Sequence, residues 1–158
     1  MREVYPIVFR AVLLVLFAGF LQRCGGEMPA EYAKFFDLPS REQEARFKEF
    51  PIDKQVDLYV HAMYVEPPKT VFVRYLASNG KGAIPHILAR LEREQSDTAK
   101  ANLIYVFKEM HEYHVSLRNE GDTITALERI VGNMSDDYNK RKAEEYLQAV
   151  KSTQGIAR

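Results

Sequence analysis

Two histidines three positions apart are the residues of this sequence best suited to bind a metal ion. His111 and His114 lie in the segment KEMHEYHV, which also holds Glu109 and Glu112. Histidines at positions i and i+3 share one face of a helix, so both could coordinate one metal in a metal-dependent hydrolase. The zinc-protease motif His-Glu-x-x-His needs one more residue between its histidines, and no third or fourth ligand can be placed. We therefore expect solvated histidines near a helix end and keep the hydrolase as an alternative.

The other polar residues that could act in catalysis have simpler structural interpretations. His61 and His86 stand singly, as packing or surface histidines usually do. Asp136 and Asp137 form an acidic pair, but carboxylates at a helix start accept backbone N–H groups and suit the helix dipole. The glycine-rich segment 79–82 lacks the length and the Ser or Thr of a phosphate-binding P-loop. We predict no catalytic residues, no cofactor and no metal site.

Cys24 is the only cysteine, and it closes an apolar N-terminal run. Residues 1–10 include two arginines, and residues 11–21 are all apolar or glycine. As a helix this second stretch covers about 16 Å, roughly half the hydrocarbon thickness of a bilayer. A basic start followed by an apolar stretch of this length is typical of a secretory leader. An uncleaved anchor over residues 4–21 is the alternative.

The residues around the cysteine suggest how the leader ends. Leu21 and Cys24 resemble the lipobox of bacterial lipoproteins, in which the leader is cleaved before the cysteine and the cysteine is lipidated. Gly25 after it suits a flexible tether, whereas Gln22 and Arg23 stand where that family has small residues. The resemblance implies lipidation at Cys24 and a membrane-anchored protein in the periplasm or cell envelope. A free thiol and a buried structural cysteine are the alternatives.

Composition bounds the rest of the chain. The 158 residues suggest one folded domain, and 46% apolar with 28% charged residues excludes wholesale disorder. Basic and acidic residues balance at 22 each, so no basic surface for nucleic acid is indicated. We predict four segments. They are a leader or anchor over 1–24, a linker over 25–28, a helical domain over 29–151 and a flexible tail over 152–158.

Apolar residues recur with a helical period along the predicted domain. Two short amphipathic helices come first, and Ser40 with Gln43 predicts a capping box at the second of them. Three helical pairs follow, over residues 51–80, 82–113 and 121–151. In the middle pair, Pro85 suits the first turn of one helix, and Ser96 with Asp97 caps the next. No segment alternates as a strand would.

The second and third pairs repeat each other at an offset of 40 residues. Two helices per unit of about 40 residues are the signature of a HEAT-type solenoid. The segment IPHILARL at 84–91 also resembles the first-helix pattern of HEAT repeats. The resemblance implies an all-α fold of stacked helical hairpins, a HEAT-like α-α superhelix, and carries no catalytic residues. A compact helical bundle is the alternative. The matched positions are Ile84 with Ile124, Ile87 with Leu127, Leu91 with Val131, Asp97 with Asp137, and Lys100 with Lys140.

The aromatic residues divide between core and surface. The helical stripes place three of them in the core: Tyr59, Phe107 and Tyr146. Three more lie off the stripes: Tyr64, Tyr75 and Tyr105. A band of exposed tyrosine suits a protein-binding surface, whereas an aromatic core is the commoner explanation.

We therefore predict a membrane-tethered, exported helical module that binds another protein in the bacterial envelope. One concrete form is an immunity or inhibitor protein directed at a toxin delivered to the same compartment. The alternatives are the metal-dependent hydrolase that uses His111 and His114, and a structural envelope lipoprotein with no discrete ligand.

Overall fold

A computed structural model describes residues 28–113, 115–117 and 120–152 of the chain. The chain divides into two compact units, Met1–Ala30 and Glu31–Arg158. The predicted leader and the predicted lipidation site, Cys24, lie outside the described residues. Within the described ranges no helix is both long enough and apolar enough to cross a membrane.

The described residues form α-helices joined by short connections, with one 3-10 turn and no strand among them. The predicted all-α class is therefore confirmed. The helices are α1 (Ala30–Phe36), α2 (Ser40–Glu49), α3 (Ile52–Ala62), α4 (Phe72–Ser78), α5 (Ile84–Arg93), α6 (Asp97–Glu112), α7 (Gly121–Gly132) and α8 (Asp137–Ser152), and the 3-10 turn is Gly80–Ala83.

Seven of these helices form two layers, each of which follows the order of the chain. In the first layer, called layer A, α3 packs on α5 and α5 packs on α7. In the second, called layer B, α2, α4, α6 and α8 pack in succession. The hairpins α3–α4, α5–α6 and α7–α8 each place one helix in either layer. This packing is consistent with a compact helical bundle.

Helix α6 lies at the centre of the core, because it contacts α3 and α5 of layer A as well as α4 and α8 of layer B. Leu103, Val106, Phe107 and Met110 repeat at helical spacing along it, and all are fully buried. Burying a side chain of this size contributes about 1.5–3 kcal/mol relative to leaving it exposed. The predicted core positions Tyr59 and Phe107 are confirmed.

The N-terminal end of the core is closed by aromatic rings. Phe47 of α2 stacks on Phe72 of α4, with ring centroids 4.5 Å apart and an interplanar angle of 9°. Phe35 of α1 lies against Phe72 and Phe50, with centroids 5.8 Å away in both cases. Aromatic contacts of this kind bury large apolar areas, so the short helix α1 is held by packing rather than by its own length.

One edge of the fold is formed by the turns within the hairpins. Ser96 caps α6, as predicted, by accepting a hydrogen bond from Ala99 N–H. Asp97 reaches the next hairpin, where its Oδ2 accepts from Ser135 N–H and Oγ–H and from Asp136 N–H. Lys100 Nζ donates to its other oxygen at 3.0 Å. Burial opposes ionisation, but these hydrogen bonds lower the pKa of Asp97 to about 2.

The opposite edge is formed by the connections between successive hairpins. Gln55 is buried there, and its Nε2 donates to Phe50 O while its Oε1 accepts from Asn79 Nδ2. Gly80 follows with φ +60, a left-handed conformation that glycine adopts without strain. Val115 lies 3.6 Å from the position that a Cβ at Gly80 would occupy. A larger residue at Gly80 would thus strain the connection before α5.

Two local predictions are wrong. The capping box at α2 does not form, because Gln43 is buried and donates to Phe36 O and Leu38 O at the end of α1. Tyr146 is half-buried rather than part of the core, although its neighbour Leu147 is buried as predicted.

Candidate functional site

The structure separates the residues first considered for chemistry. His111 is exposed in the last turn of α6, and His114 lies outside the described residues, so their pairing remains a prediction. No three histidine, cysteine or acidic side chains converge as a metal site in the described part of the chain. Asp136 accepts a hydrogen bond from Asn139 N–H at the start of α8, the structural role expected for it.

The two remaining histidines also lie apart. His86 is exposed on α5. His61 is half-buried, with its ring centroid 5.1 Å from that of Tyr32. Burial and the nearby Arg90 guanidinium lower the pKa of His61, so it is a neutral packing group at pH 7.

Layer B carries a different kind of cluster, built on tyrosines. Helices α4, α6 and α8 each contribute one half-buried tyrosine, and together Tyr75, Tyr105 and Tyr146 form the tyrosine row. Each of these residues lies beside the buried stripe of its own helix, which leaves its ring partly open to solvent. Two of the row's members, Tyr75 and Tyr105, were predicted to lie off the core stripes.

Tyr75 contacts three residues of α2. Its hydroxyl donates to Glu44, its ring centroid lies 6.4 Å from that of Phe47, and Lys48 Nζ lies 4.2 Å from its centroid. The hydrogen bond to Glu44 raises the pKa of Tyr75, since the carboxylate stabilises the neutral phenol. This residue is thereby fixed as a neutral ring with a cation on its face.

Tyr105 links α6 to α8. Its ring centroid lies 4.9 Å from that of Tyr146 at an interplanar angle of 52°. Lys108 Nζ lies 5.1 Å from the Tyr105 centroid, a distance at which a cation is attracted to the ring. The hydrogen bond with Glu109, with burial, raises the pKa of Tyr105 to about 12.

Cations without carboxylate partners border the row. Among the described residues, no carboxylate forms an ion pair with Lys48, Arg74, Lys108 or Lys142. These four residues, called the row cations, come one from each helix of layer B. Lys142 Nζ lies 5.0 Å from the ring centroid of Tyr138, and the hydrogen bond between the two side chains raises the pKa of Lys142.

Layer A shows the opposite arrangement. Every lysine and arginine of α3, α5 and α7 forms an ion pair. Arg90 is the most enclosed of them. It donates to Asp57 and to Glu94, and the Arg90 and Glu94 side chains are only 17% and 11% exposed. The positive charges on the helices of layer A are thus paired within the chain.

Exposed aromatic side chains extend the tyrosine row at its margins. Three large apolar side chains are exposed in the described chain: Tyr64, Tyr113 and Tyr138. Tyr113 lies close enough to Tyr75 to contribute to its raised pKa, and Tyr138 contacts Lys142. Tyr64 belongs instead to the turn edge, where its hydroxyl is 2.9 Å from Ser96 Oγ.

This arrangement suits recognition rather than covalent chemistry. Tyr75 and Tyr105 hold their protons firmly, and their hydroxyls are already engaged by carboxylates. Partly exposed tyrosine rings and arginine are the residue types enriched in protein interfaces, because they offer large contact area with a polar end. Comparison with protein-family models, with curated proteins and with solved structures finds no match to this chain.

Part of this site is visible in the sequence. Lys108 and Glu109 follow Tyr105 by three and four residues, the spacing at which helical side chains meet. The partners of Tyr75 are 27 and 31 residues away along the chain, on α2. Only the packing of α2 on α4 brings them to that ring, and no local pattern indicates it.

Proposed function

We propose that this chain is a membrane-tethered, exported helical module that binds another protein through the tyrosine row of layer B. The observation that carries the proposal is the placement of one half-buried tyrosine on each of α4, α6 and α8. The three rings lie on adjacent helices, and those of Tyr105 and Tyr146 are in contact. Binding surfaces of this kind depend on a few large anchors in their centre.

The proposed architecture is a HEAT-like stack of helical hairpins. The packing of both layers in chain order supports it, as does the offset of 40 residues between the second and third hairpins. In such a stack each hairpin buries its apolar stripe against its neighbours, and the aligned helices offer an extended face to a partner. The step from stack to binding function is an analogy at the level of the fold.

The proposed location is the periplasm or another envelope surface, with anchoring through a lipidated Cys24. The basic and apolar leader and the lipobox-like ending support this part of the proposal. An immunity or inhibitor protein that binds a toxin in the same compartment is one concrete form of it.

Crosslinking in cells tests the binding function. The full chain would carry a photo-reactive residue at Ser78, an exposed position one turn beyond Tyr75 on α4. We expect one dominant crosslinked protein, and at least tenfold less of it when Tyr105 and Tyr146 are both replaced by alanine. Replacement of Tyr64, an exposed tyrosine on the turn edge, is the matched control and should leave the product unchanged. Equal yields from all three chains would contradict the proposal.

The intact mass of the protein from the membrane fraction tests the anchoring. We expect a chain that begins at Cys24 and carries added acyl mass. A chain that begins at Met1 without added mass would show instead that residues 4–21 remain as an anchor and that Cys24 is a free thiol.

A further inference from the structure

The row cations indicate the charge of the partner surface, which the tyrosines alone do not. Resting on the proposed function, we infer that the protein bound at layer B presents carboxylate side chains that pair with Lys48, Arg74, Lys108 and Lys142. The partner is therefore an acidic protein surface. Two observations support this inference: the groups to which the nearby carboxylates are hydrogen-bonded, and the difference in ion pairing between the two layers.

The carboxylates nearest to the row are engaged by hydroxyl groups. Glu44 accepts from Tyr75, and Glu109 is hydrogen-bonded to Tyr105. Lys48 and Lys108 lie instead over the faces of the same two rings. A lysine ammonium has three N–H donors, so a second molecule can still accept hydrogen bonds from it.

On layer A every lysine and arginine of the three helices forms an ion pair within the chain. Arg93 donates to Asp57 at 3.2 Å, and Arg129 donates to Glu92 at the surface of α7. On layer B each of four successive helices leaves at least one cation without such a carboxylate among the described residues. Neighbouring positive charges repel one another, so the row cations favour a ligand that carries negative charge.

The distribution of charge favours a protein over a polyphosphate. Glu44 and Glu109 lie beside tyrosines of the row, and Glu145 lies close enough to Lys142 to contribute to its raised pKa. A nucleic acid backbone repeats its negative charge at short, regular intervals and would meet these carboxylates along its path. Carboxylates at discrete positions on a folded protein can avoid them. The balanced total of 22 basic and 22 acidic residues agrees with this reading.

Charge reversal with the same crosslinking probe at Ser78 tests the inference. The reversed chain carries glutamate at all four row cations. We expect its crosslinked product to fall about tenfold or more relative to the unmodified chain, because four attractive contacts become repulsive. A control chain reverses four exposed cations away from the row, three of which form ion pairs within the chain. Once circular dichroism has shown that it keeps its helix, it should give the unmodified yield. Those four are Lys34, Lys81, Arg93 and Arg129.

Three readouts separate the outcomes. Loss of product in the reversed chain alone, together with a partner peptide rich in Asp and Glu at the crosslink, supports the inference. Equal yields of one crosslinked protein from the unmodified and the reversed chain overturn the inference and leave the proposed function standing. A product that contains nucleic acid or lipid overturns it as well. Absence of any product from the unmodified chain overturns both.

A second variant guards against misfolding. Glutamine at the same four positions removes the positive charges without adding negative ones. If circular dichroism shows that the reversed chain has lost helix, the glutamine chain decides in its place, with a smaller expected loss of product. An unchanged product from a helical glutamine chain would overturn the inference.

Discussion

Layers A and B share one hydrophobic core but differ in how completely their cations are paired, since only some cations of layer B form ion pairs. On layer A every lysine and arginine of α3, α5 and α7 pairs with a carboxylate of the chain. On layer B the tyrosine hydroxyls engage Glu44 and Glu109, and the row cations rest beside or over aromatic rings. A surface that satisfies its own charges has little to gain from a second molecule. Layer B can still gain ion pairs and aromatic contact area.

On the proposed function, layer A is scaffold and layer B is the part available for recognition. Both layers bury the same kind of apolar stripe, so packing alone does not tell them apart. They differ in the residues beside those stripes, which contribute little to stability and can vary without loss of the fold.

Loss of the shared core should affect both layers equally and most strongly. Phe107→Ala removes a fully buried ring from α6, the helix that contacts both layers. We expect the free energy of unfolding to fall by about 3–5 kcal/mol, measured by urea denaturation followed by circular dichroism. Leu88→Ala, at a half-buried position of α5, is the comparison and should cost clearly less. Equal losses would mean that α6 is not the centre of the core.

Loss of the link between the turns should have the next largest effect. Asp97→Ala leaves Ser135 N–H and Asp136 N–H without their acceptor, and we expect a loss of about 2 kcal/mol at pH 7. The folded-state pKa of Asp97, about 2, is below the ordinary value of 3.8, so its ionised form stabilises the fold above that value.

The pH dependence of that effect is a separate test. The stabilisation by Asp97 should be full above about pH 4 and should disappear as the pH falls through about 2. Urea denaturation of the unmodified chain and of Asp97→Ala, repeated at several pH values, should give stability curves that converge in acid. Parallel curves would show that the carboxylate charge plays no part.

A pair of matched substitutions should sharpen the contrast between the layers. Arg90→Met in layer A removes the partner of two carboxylates from a site with little exposure, and we expect it to cost about 1–2 kcal/mol. Lys108→Met in layer B removes a cation that has no ion pair, and its effect should stay within about 0.5 kcal/mol. A larger loss at Lys108 than at Arg90 would reverse the comparison.

The smallest effect is spectroscopic. Tyr105 should ionise near pH 12 because of its hydrogen bond with Glu109 and its partial burial. Glu109→Gln replaces the charged acceptor with a neutral one, so the pKa of Tyr105 should move back toward its ordinary value. Difference absorbance of tyrosinate, with Tyr105→Phe to assign the transition, measures the shift. An unchanged transition would place Glu109 away from the hydroxyl.

Local features of this fold could be predicted from the sequence, whereas features set by packing between helices could not. Pro85 in the first turn of α5 and Ser96 at the start of α6 act through neighbouring residues, and both were predicted correctly. Gln43 fits a capping box in sequence, yet it donates to two carbonyls at the end of α1 that the fold brings to it. Carbonyl groups at a helix end have no donor within the helix, and Gln43 donates to two of them instead of forming the local capping box.

The candidate site shows the same limit. Helical periodicity places Tyr146 beside Leu147 and so suggests the core. Its ring lies instead against Tyr105, a contact that depends on how α8 packs on α6. The spacing of Tyr105, Lys108 and Glu109 was available in the sequence. The pairing of α2 with Tyr75 was not, because it joins residues on two different helices.

The Asp97 link has a consequence for how the molecule opens. Helices at the end of a fold can separate locally while the rest stays folded. At the C-terminal end, α7 and α8 must break the hydrogen bonds of Ser135 and Asp136 to Asp97 before they separate from α6. We expect amide hydrogens of α8 to exchange together and slowly near neutral pH. Substitution of Asp97 should make that hairpin the first to exchange and the first to be cut by a protease.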